Sequence, residues 1–523
     1  MMVDKRDTKR QILRDVAPLI ILVFLVVGIA FAVPVIGPDS ITGFGPIESD
    51  GVNVDWIDLG GVNRTTWPSG GGGGSGLPMY PWEYLFYTNA TSNYLVDETG
   101  SIVSSGTDQT IWEYAANNTS GGQWYVSPGT YTINNINVDT ANVRITGASR
   151  GATVLYTTTA NAHYILQLSG QHGYVEHLTL DGNDVADNNL ILSGGRTRAR
   201  HIISQDADEA QFYLTSTGGC AIDDFHAVRT HGAKTAGTIG VLIHDNAADI
   251  EIENGIIYYC ETGFVIDGGT VRLFDNHIWG NEWGIELRTT PGECWIENNF
   301  IEDQDQEAII AKSGTVVALT ISGNLFDQNC EQANDTYYSI DLAPSGTNSI
   351  QSVIINDNNF DRLPVSGNVP KGHINIDDTE SRWIEICNNN FYPEVTGSTW
   401  NFYGSWVQSE PAINFPSPDS TEYSLIKDNI GFVTQNTAKT TVAVDGVGYV
   451  TGTITHGLDV TPNSEDIVWS FGQETSATDF RCQFMGIQTI SSTTVQVRIY
   501  VTDAGSAGST VELIAHCDAS KFD

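Results

Sequence analysis

Lysine and methionine are scarce in this sequence of 523 residues, at 8 and 4 copies, and charged side chains make up only 17% of it. The seven cysteines (Cys220, Cys260, Cys294, Cys330, Cys387, Cys482 and Cys517) lie far apart and form no C-x-x-C pair. That spacing argues against a zinc module and against a dithiol redox site. Cys482 and Cys517 are candidates for a disulfide across neighbouring strands near the C-terminus; the others are expected as small apolar residues packed inside a repeat. Basic residues number 24 against 63 acidic ones, a formal net charge of -39. A phosphate backbone would be repelled over most of such a surface, so nucleic acid is excluded as a partner. There is no phosphate-binding glycine loop, no H-E-x-x-H, and no G-x-S-x-G in a strand-turn-helix setting.

What is present is glycine, 53 residues, and aromatic side chains at 10%. With so little charge, this balance suits a turn-rich all-β architecture better than a helical bundle. The lysine-poor, carboxylate-rich surface also resembles that of halophilic proteins, with an ordinary acidic secreted protein as the alternative. One long apolar run stands out. Residues 16–38, containing Leu19 to Val27, carry no charge and number 23, long enough to span hydrocarbon as a helix. Lys5, Arg6, Lys9, Arg10 and Arg14 precede it. The positive flank places the tail 1–15 in the cytoplasm or inside a particle, with the bulk of the chain outside at a virion or cell surface. Ala30-Phe31-Ala32 offers the rival reading of a cleaved signal peptide. Residues 39–79, ending in the glycine run Gly70–Gly74, read as a flexible tether.

From about Tyr80 the pattern changes. Within 80–120, the piece Gly106 to Ala116 starts with polar cap candidates and has helix-compatible spacing; Gly121-Gly122-Gln123-Trp124-Tyr125-Val126 and Pro128-Gly129-Thr130-Tyr131 alternate like strands. This succession, followed by Asn142-Val143-Arg144-Ile145-Thr146-Gly147, resembles the entry to pectate-lyase-like right-handed parallel β-helices and phage tailspikes. The resemblance implies that the helix caps the first coil and protects its edge.

Residues 121–432 then repeat in two phases. Small residues lead into strands at Gly240, Gly263, Gly284 and Ala308, and asparagine turns recur at Asn254, Asn276, Asn298, Asn324, Asn358, Asn389 and Asn429, separated by 22, 22, 26, 34, 31 and 40 residues. A unit of about 22 residues cannot bury its own apolar side, so it must stack on its neighbours. The expected result is a parallel solenoid of roughly eleven coils, about 50 Å long at a strand spacing of about 4.8 Å. Asparagine fits the bend because it tolerates left-handed backbone, and stacked asparagines can bond one another as a ladder. Residues 433–523 lose the repeat and alternate as antiparallel strands, a small β-sandwich. The stretch Ile454-Thr455-His456-Gly457-Leu458 looks like a turn in C-terminal domains of viral fibres and spikes, which implies a homotrimer.

The late, longer spacings imply loops near 331–350, 361–372 and 392–422 carrying Tyr337, Tyr338, Tyr392, Trp400, Tyr403 and Trp406. Exposed aromatic rings there are candidate contacts for cell-surface glycans or polysaccharide; packing within the loops or against another subunit is the alternative. The order anchor, tether, rod and terminal domain suggests a surface spike that attaches to glycans. Many relatives of the fold instead cleave polysaccharides, by hydrolysis with paired acids or by elimination assisted by a calcium ion, the one cofactor the resemblance allows. Candidate acids are Asp267, Glu286, Glu302, Asp303 and Asp305 in and near the cluster 302–307, although with 63 acids such proximity is expected on a solvated surface too. The galacturonan-hydrolase pattern is represented only by Asp223-Asp224 and His231-Gly232, so no catalytic role is carried over. Arg196, Arg198 and Arg200 lack the acidic partners of the lyase pattern. His172, His201, His226 and His244 read as turn or core partners. A purely structural surface role is the third reading. Sequons at Asn63, Asn89, Asn117, Asn118 and Asn334 agree with an outside, glycosylated surface.

Overall fold

The computed structural model describes residues 82–522 except 89–91, 217, 231–233, 235, 289–291, 334, 344–349, 362–367, 369, 377–380, 392–411, 416–423, 431, 433, 445, 459, 475–480 and 505–508. The tail, apolar span and tether of 1–79 therefore lie outside the described residues. Among those described, no helix is long and apolar enough to cross a membrane.

The rod begins with a lid. A helix, Asp108–Asn118, starts at Thr107, whose side chain accepts the Thr110 N–H, and it buries Ile111, Trp112, Ala115 and Ala116 along one stripe. The Trp112 ring sits 4.5 Å from that of Phe86 and 6.2 Å from that of Trp124. Asp108 accepts the Thr132 N–H at 2.7 Å, and Gln109 accepts the N–H of Asn134 at 2.9 Å while donating to its carbonyl at 3.0 Å. The helix thus covers the end of the first coil and ties down its backbone, which would otherwise present an open edge.

From Ile250 to Asn414 each coil gives two short strands to one sheet and one strand to a second, whereas Tyr174–Asp181, Thr197–Gln205 and Cys220–Val228 each cross the first sheet as a single longer strand. Ile250–Glu253, Ile256–Tyr258 and Thr262–Ile266 pair in parallel with Val271–Phe274, His277–Trp279 and Trp283–Leu287 of the next coil. Among the described residues, eleven strands form the second sheet. Inward columns such as Phe264, Ile285, Ile309, Ile340, Ile374 and Ile413 run the length of the rod with no more than 2% exposure. Burial on this scale, about 25 cal/mol per Å² of apolar surface, is what one coil alone cannot obtain.

The asparagine bend divides into two adjacent columns. Asn254, Asp275, Asn298, Gly323, Asp357, Asn388 and Asp428 occupy the left-handed region, with φ between 54° and 65°. The next residue in each coil, Asn276, Asn299, Asn324, Asn358, Asn389 or Asn429, points inward, and each Nδ2 up to Asn389 donates to the Oδ1 of the following rung at 3.0 or 3.1 Å. The repeat read from sequence mixed the columns: Asn254 and Asn298 make the turn, whereas the others belong to the ladder. Gly255 precedes the first rung, where a Cβ would meet Phe225 at 2.2 Å. A shorter polar file, Asn281, Gln304 and Asn329, accepts backbone N–H groups of the preceding coil at another corner.

Cys220, Cys260, Cys294, Cys330 and Cys387 are buried free thiols. Cys294 stands in file between Val271 and Leu319, and burial pushes Cys260 and Cys294 up to about 12. His373 is also interior, its ring beside the stacked Phe360 and Phe391 rings at 5.1 and 5.6 Å, and burial pulls it down to about 4. An unfolded histidine takes a proton near pH 6.5, so the unfolded state binds more protons between about 6.5 and 4, and stability falls as pH falls through that window. The loss amounts to about 3 kcal/mol. Urea denaturation at pH 7 and pH 4.5 should show the acid-side loss shrinking in His373→Leu.

The C-terminal part is a sandwich of two three-stranded antiparallel sheets. One holds Gln435–Ala443, Thr510–Asp518 and Ile467–Glu474; the other holds Gly448–Thr455, Thr494–Asp503 and Arg481–Ile490. Val442, Ile454, Val497 and Leu513 share its core. His456 locks the turn after Thr455, accepting the Leu458 N–H at 3.0 Å and donating to the Ser491 carbonyl at 3.1 Å. Cys517 is a buried free thiol, and its strand pairs with Gln435–Ala443 and Ile467–Glu474, whereas the strand of Cys482 belongs to the other sheet. The two cysteines are thus not on neighbouring strands. The last strand, Lys521–Phe522, returns antiparallel to Ser424–Lys427 of the rod.

Candidate functional site

The second sheet presents an outward column in which Val265, Glu286, Ile310, Asp341 and Asn375 follow one another from coil to coil. Polar side chains on an outer face are normally solvated, yet Glu286 is only 5% exposed and Glu307, just before the next strand, only 6%. Buried carboxylates require partners. Arg288 grips Glu286 with both ends of its fork, Nε to Oε1 at 3.0 Å and Nη2 to Oε2 at 3.1 Å. Lys312 approaches the same Oε1 at 3.8 Å. Glu307 instead accepts the indole N–H of Trp283 at 3.1 Å. The Lys312 ammonium lies 3.3 Å over the centre of the Trp283 ring, so the two carboxylates flank one Trp–Lys pair.

Their environments differ in kind. Burial, reinforced by the charge of Asp341 and opposed by the Trp283 hydrogen bond and by Lys312, pushes Glu307 up to about 7. Glu286 meets two cations. Asp267, at the end of the preceding strand, is also raised by burial, with Arg288 opposing. A carboxylic acid that keeps its proton near neutrality beside a charge-paired carboxylate is the arrangement that separates a proton donor from its charged partner.

Of the acids singled out by sequence, Asp267 and Glu286 reach this face. The cluster 302–307 divides at a turn. Glu302 lies on the first sheet with its carboxylate 2.7 Å from His277 Nε2; Asp303 occupies a left-handed turn at φ 55°, with its carboxyl raised by burial; Asp305 pairs with Lys234 at 2.6 Å. Only Glu307 crosses to the second sheet. Tyr338 belongs to the strand Tyr338–Leu342 rather than to a loop; it is 5% exposed, with the Lys371 ammonium 5.2 Å from its ring. Tyr337 is half-buried and bonds Gln332 at 2.9 Å. Tyr392, Trp400, Tyr403, Trp406, Asn63, Asn89 and Asn334 lie outside the described residues. Asn117 and Asn118 are exposed at the end of the capping helix.

Elsewhere, Asp224 is engaged by Arg150 and His201, and the His201 ring stacks on that of His177 at 4.7 Å; all three of Asp224, His201 and His177 fill left-handed turn positions. Arg200 pairs with Asp223 at 3.0 Å. Among the described residues, no group of three or more His, Cys, Asp or Glu side chains is arranged to hold a metal ion.

Stacked parallel coils, a capped entry and a polar ladder define a parallel β-helix. Its coordinates are similar to the enzymatically active domain of tailspike protein 2 from bacteriophage CBA120, at 11% identity over 81% of this chain and 80% of that one, with a TM-score of 0.46. The tailspike protein gp49 of Pseudomonas phage LKA1 matches at 12% identity over 78% and 92%, TM-score 0.44. The A-module of the Azotobacter vinelandii mannuronan C-5 epimerase AlgE6 matches at 14% over 61% and 92%, TM-score 0.41. No family model and no curated protein matches the chain by sequence.

Proposed function

We propose that this chain is a polysaccharide-directed surface protein whose second sheet carries a hydrolytic acid pair. The observation that carries the reading is the opposed environment of two buried carboxylates on adjacent coils, Glu307 pushed up to about 7 and Glu286 clamped by Arg288. Glu307 gives its proton to the glycosidic oxygen as the bond to the anomeric carbon breaks. Glu286 either attacks that carbon or takes a proton from the attacking water, and the anomer first released tells which. The test is release of reducing ends from a panel of polysaccharides by the full chain, compared with Glu307→Gln. Attachment without cleavage is the second reading, favoured by Lys312, which covers one face of Trp283 and partly neutralises Glu286. Binding to the same panel with no reducing ends released would establish it.

In this reading the 16–38 span roots the chain in a membrane and the terminal sandwich joins three copies. Val447, Tyr449 and Val468 are 58–65% exposed on that sandwich, more apolar surface than a lone domain favours. The expected outcome is that the chain leaves membranes only with detergent and then sediments at three times the chain mass. A monomer in sedimentation would remove the trimer.

A further inference from the structure

Around the corner from Trp283, the turn between the first and second sheets repeats a left-handed position filled by Tyr259, Gly280, Asp303 and Gln328, with φ of 62°, 65°, 55° and 50°. Glycine is the residue this position asks for, and a bulky aromatic there costs roughly 1 kcal/mol. Tyr259 is nevertheless 42% exposed. Its ring runs across a stack of two others, at 74° to Tyr258 and 64° to Trp279, with centroids 5.3 and 5.0 Å away. The Tyr258 and Trp279 rings face each other at 5.0 Å and 11°, so they support each other without Tyr259. Ring atoms of Tyr259 lie only 3.2–3.3 Å from where a Cβ on Gly280 would be. The ring therefore rests against the glycine turn and keeps its remaining surface toward solvent.

We infer that Tyr259, backed by Tyr258 and Trp279, is a stacking platform for a neutral pyranose, a second glycan contact apart from the acid pair. A ring with one open apolar surface and a hydroxyl suits the CH face of a sugar and orders few rotors on binding. Asp303 fills the same turn position two coils on, and its carboxyl and that of Glu302, which is held by His277, add negative charge that disfavours uronates. The overall charge of -39 acts in the same direction. The turn itself does not need the ring, since Gly280, Asp303 and Gln328 make it in the next three coils.

This inference does not depend on catalysis by Glu307, and the experiment separates the two. Gluco-, galacto- and manno-hexasaccharides, with a hexauronate as the charged control, are titrated into the full chain by calorimetry for the wild type, Tyr259→Gly, Tyr259→Asn and Glu307→Gln. Both Tyr259 variants remove the ring while keeping a residue that tolerates left-handed backbone. The expected result is at least a tenfold loss of affinity for one neutral hexasaccharide in both, at a denaturation midpoint no lower than that of the wild type, with Glu307→Gln still binding. The platform is overturned if no neutral hexasaccharide binds, if only the hexauronate does, or if both variants bind as the wild type does. Unchanged cleavage by Glu307→Gln would instead sink the hydrolytic reading and leave the platform standing.

Discussion

Glu307→Gln should lower the rate of glycosidic cleavage by about 10²–10⁴-fold, the range that a positioned general acid contributes, while leaving the affinity for the intact chain of sugars nearly unchanged. The glutamine keeps the volume and can still accept the Trp283 N–H, so the sheet surface is preserved; only the transferable proton is lost. The pH profile provides the independent check. Because burial pushes Glu307 up to about 7, the donor is protonated below that value, and activity should fall as pH rises through it. Asp341→Asn removes a like charge that helps to raise Glu307, so the alkaline limb should move to lower pH in that variant. An unmoved limb in Asp341→Asn, or full activity in Glu307→Gln, would assign the proton to another group.

Why Glu307 is hard to find by sequence follows from its setting. It is the last residue of a run, Glu302 to Glu307, that reads as one acidic surface, and nothing in that string shows that a turn intervenes. Glu302 stays on the first sheet and Glu307 crosses to the second, so chain neighbours are placed on different faces. The signal was indirect: Gly284 and Ala308 open successive strands of the second sheet, and Glu307 stands immediately before Ala308 just as Trp283 stands immediately before Gly284. Asp267 and Glu286 were accessible because they flank the clear strand pattern of that phase. The basic partners, Arg288 and Lys312, lie two or more residues from any acid of interest in sequence, and only stacking of coils brings Lys312 to Glu286.

The fold was far more legible because its physics is periodic. Gly-Gly, Pro-Gly-Thr-Tyr and the short helix are local signals whose meaning survives without tertiary context. The recurrence of asparagine required stacking whatever the individual strand boundaries. What sequence blurred was phase. Asn298-Asn299 and Asn388-Asn389 are doublets, and composition cannot tell which member bends the backbone and which enters the core. Asp275 and Gly323 decide it: residues with no ladder function take the left-handed position, leaving the next residue, always asparagine from Asn276 onward, to face inward.

That inward file leads to the largest stability effect expected in the molecule. Asn324 is 1% exposed. Its Oδ1 accepts the Asn299 N–H at 2.8 Å and the Asn299 side-chain amide at 3.0 Å, and its Nδ2 donates to the Ile296 carbonyl at 2.8 Å and to Asn358 Oδ1 at 3.0 Å. Asn324→Leu keeps the approximate volume but strands the Asn299 backbone N–H and the Ile296 carbonyl away from water, while the Asn299 side-chain amide keeps the Leu273 and Glu297 carbonyls. At about 1–3 kcal/mol for each unmet buried group, partly relieved by rearrangement, the cost should be about 2–5 kcal/mol. Asn429 ends the ladder and is only partly buried; it donates to the Ile386 carbonyl alone and serves Asn389 from one side. Water can replace much of what Asn429→Leu removes, so that variant should lose less than half as much. Because each coil contacts only its neighbours, the Asn324 defect should also appear as faster amide exchange confined to the coils around Ile296–Asn358 before the rest of the rod opens. Equal losses in the two variants, measured by urea denaturation, would mean that the ladder is stabilised by turn geometry rather than by its file of buried amides.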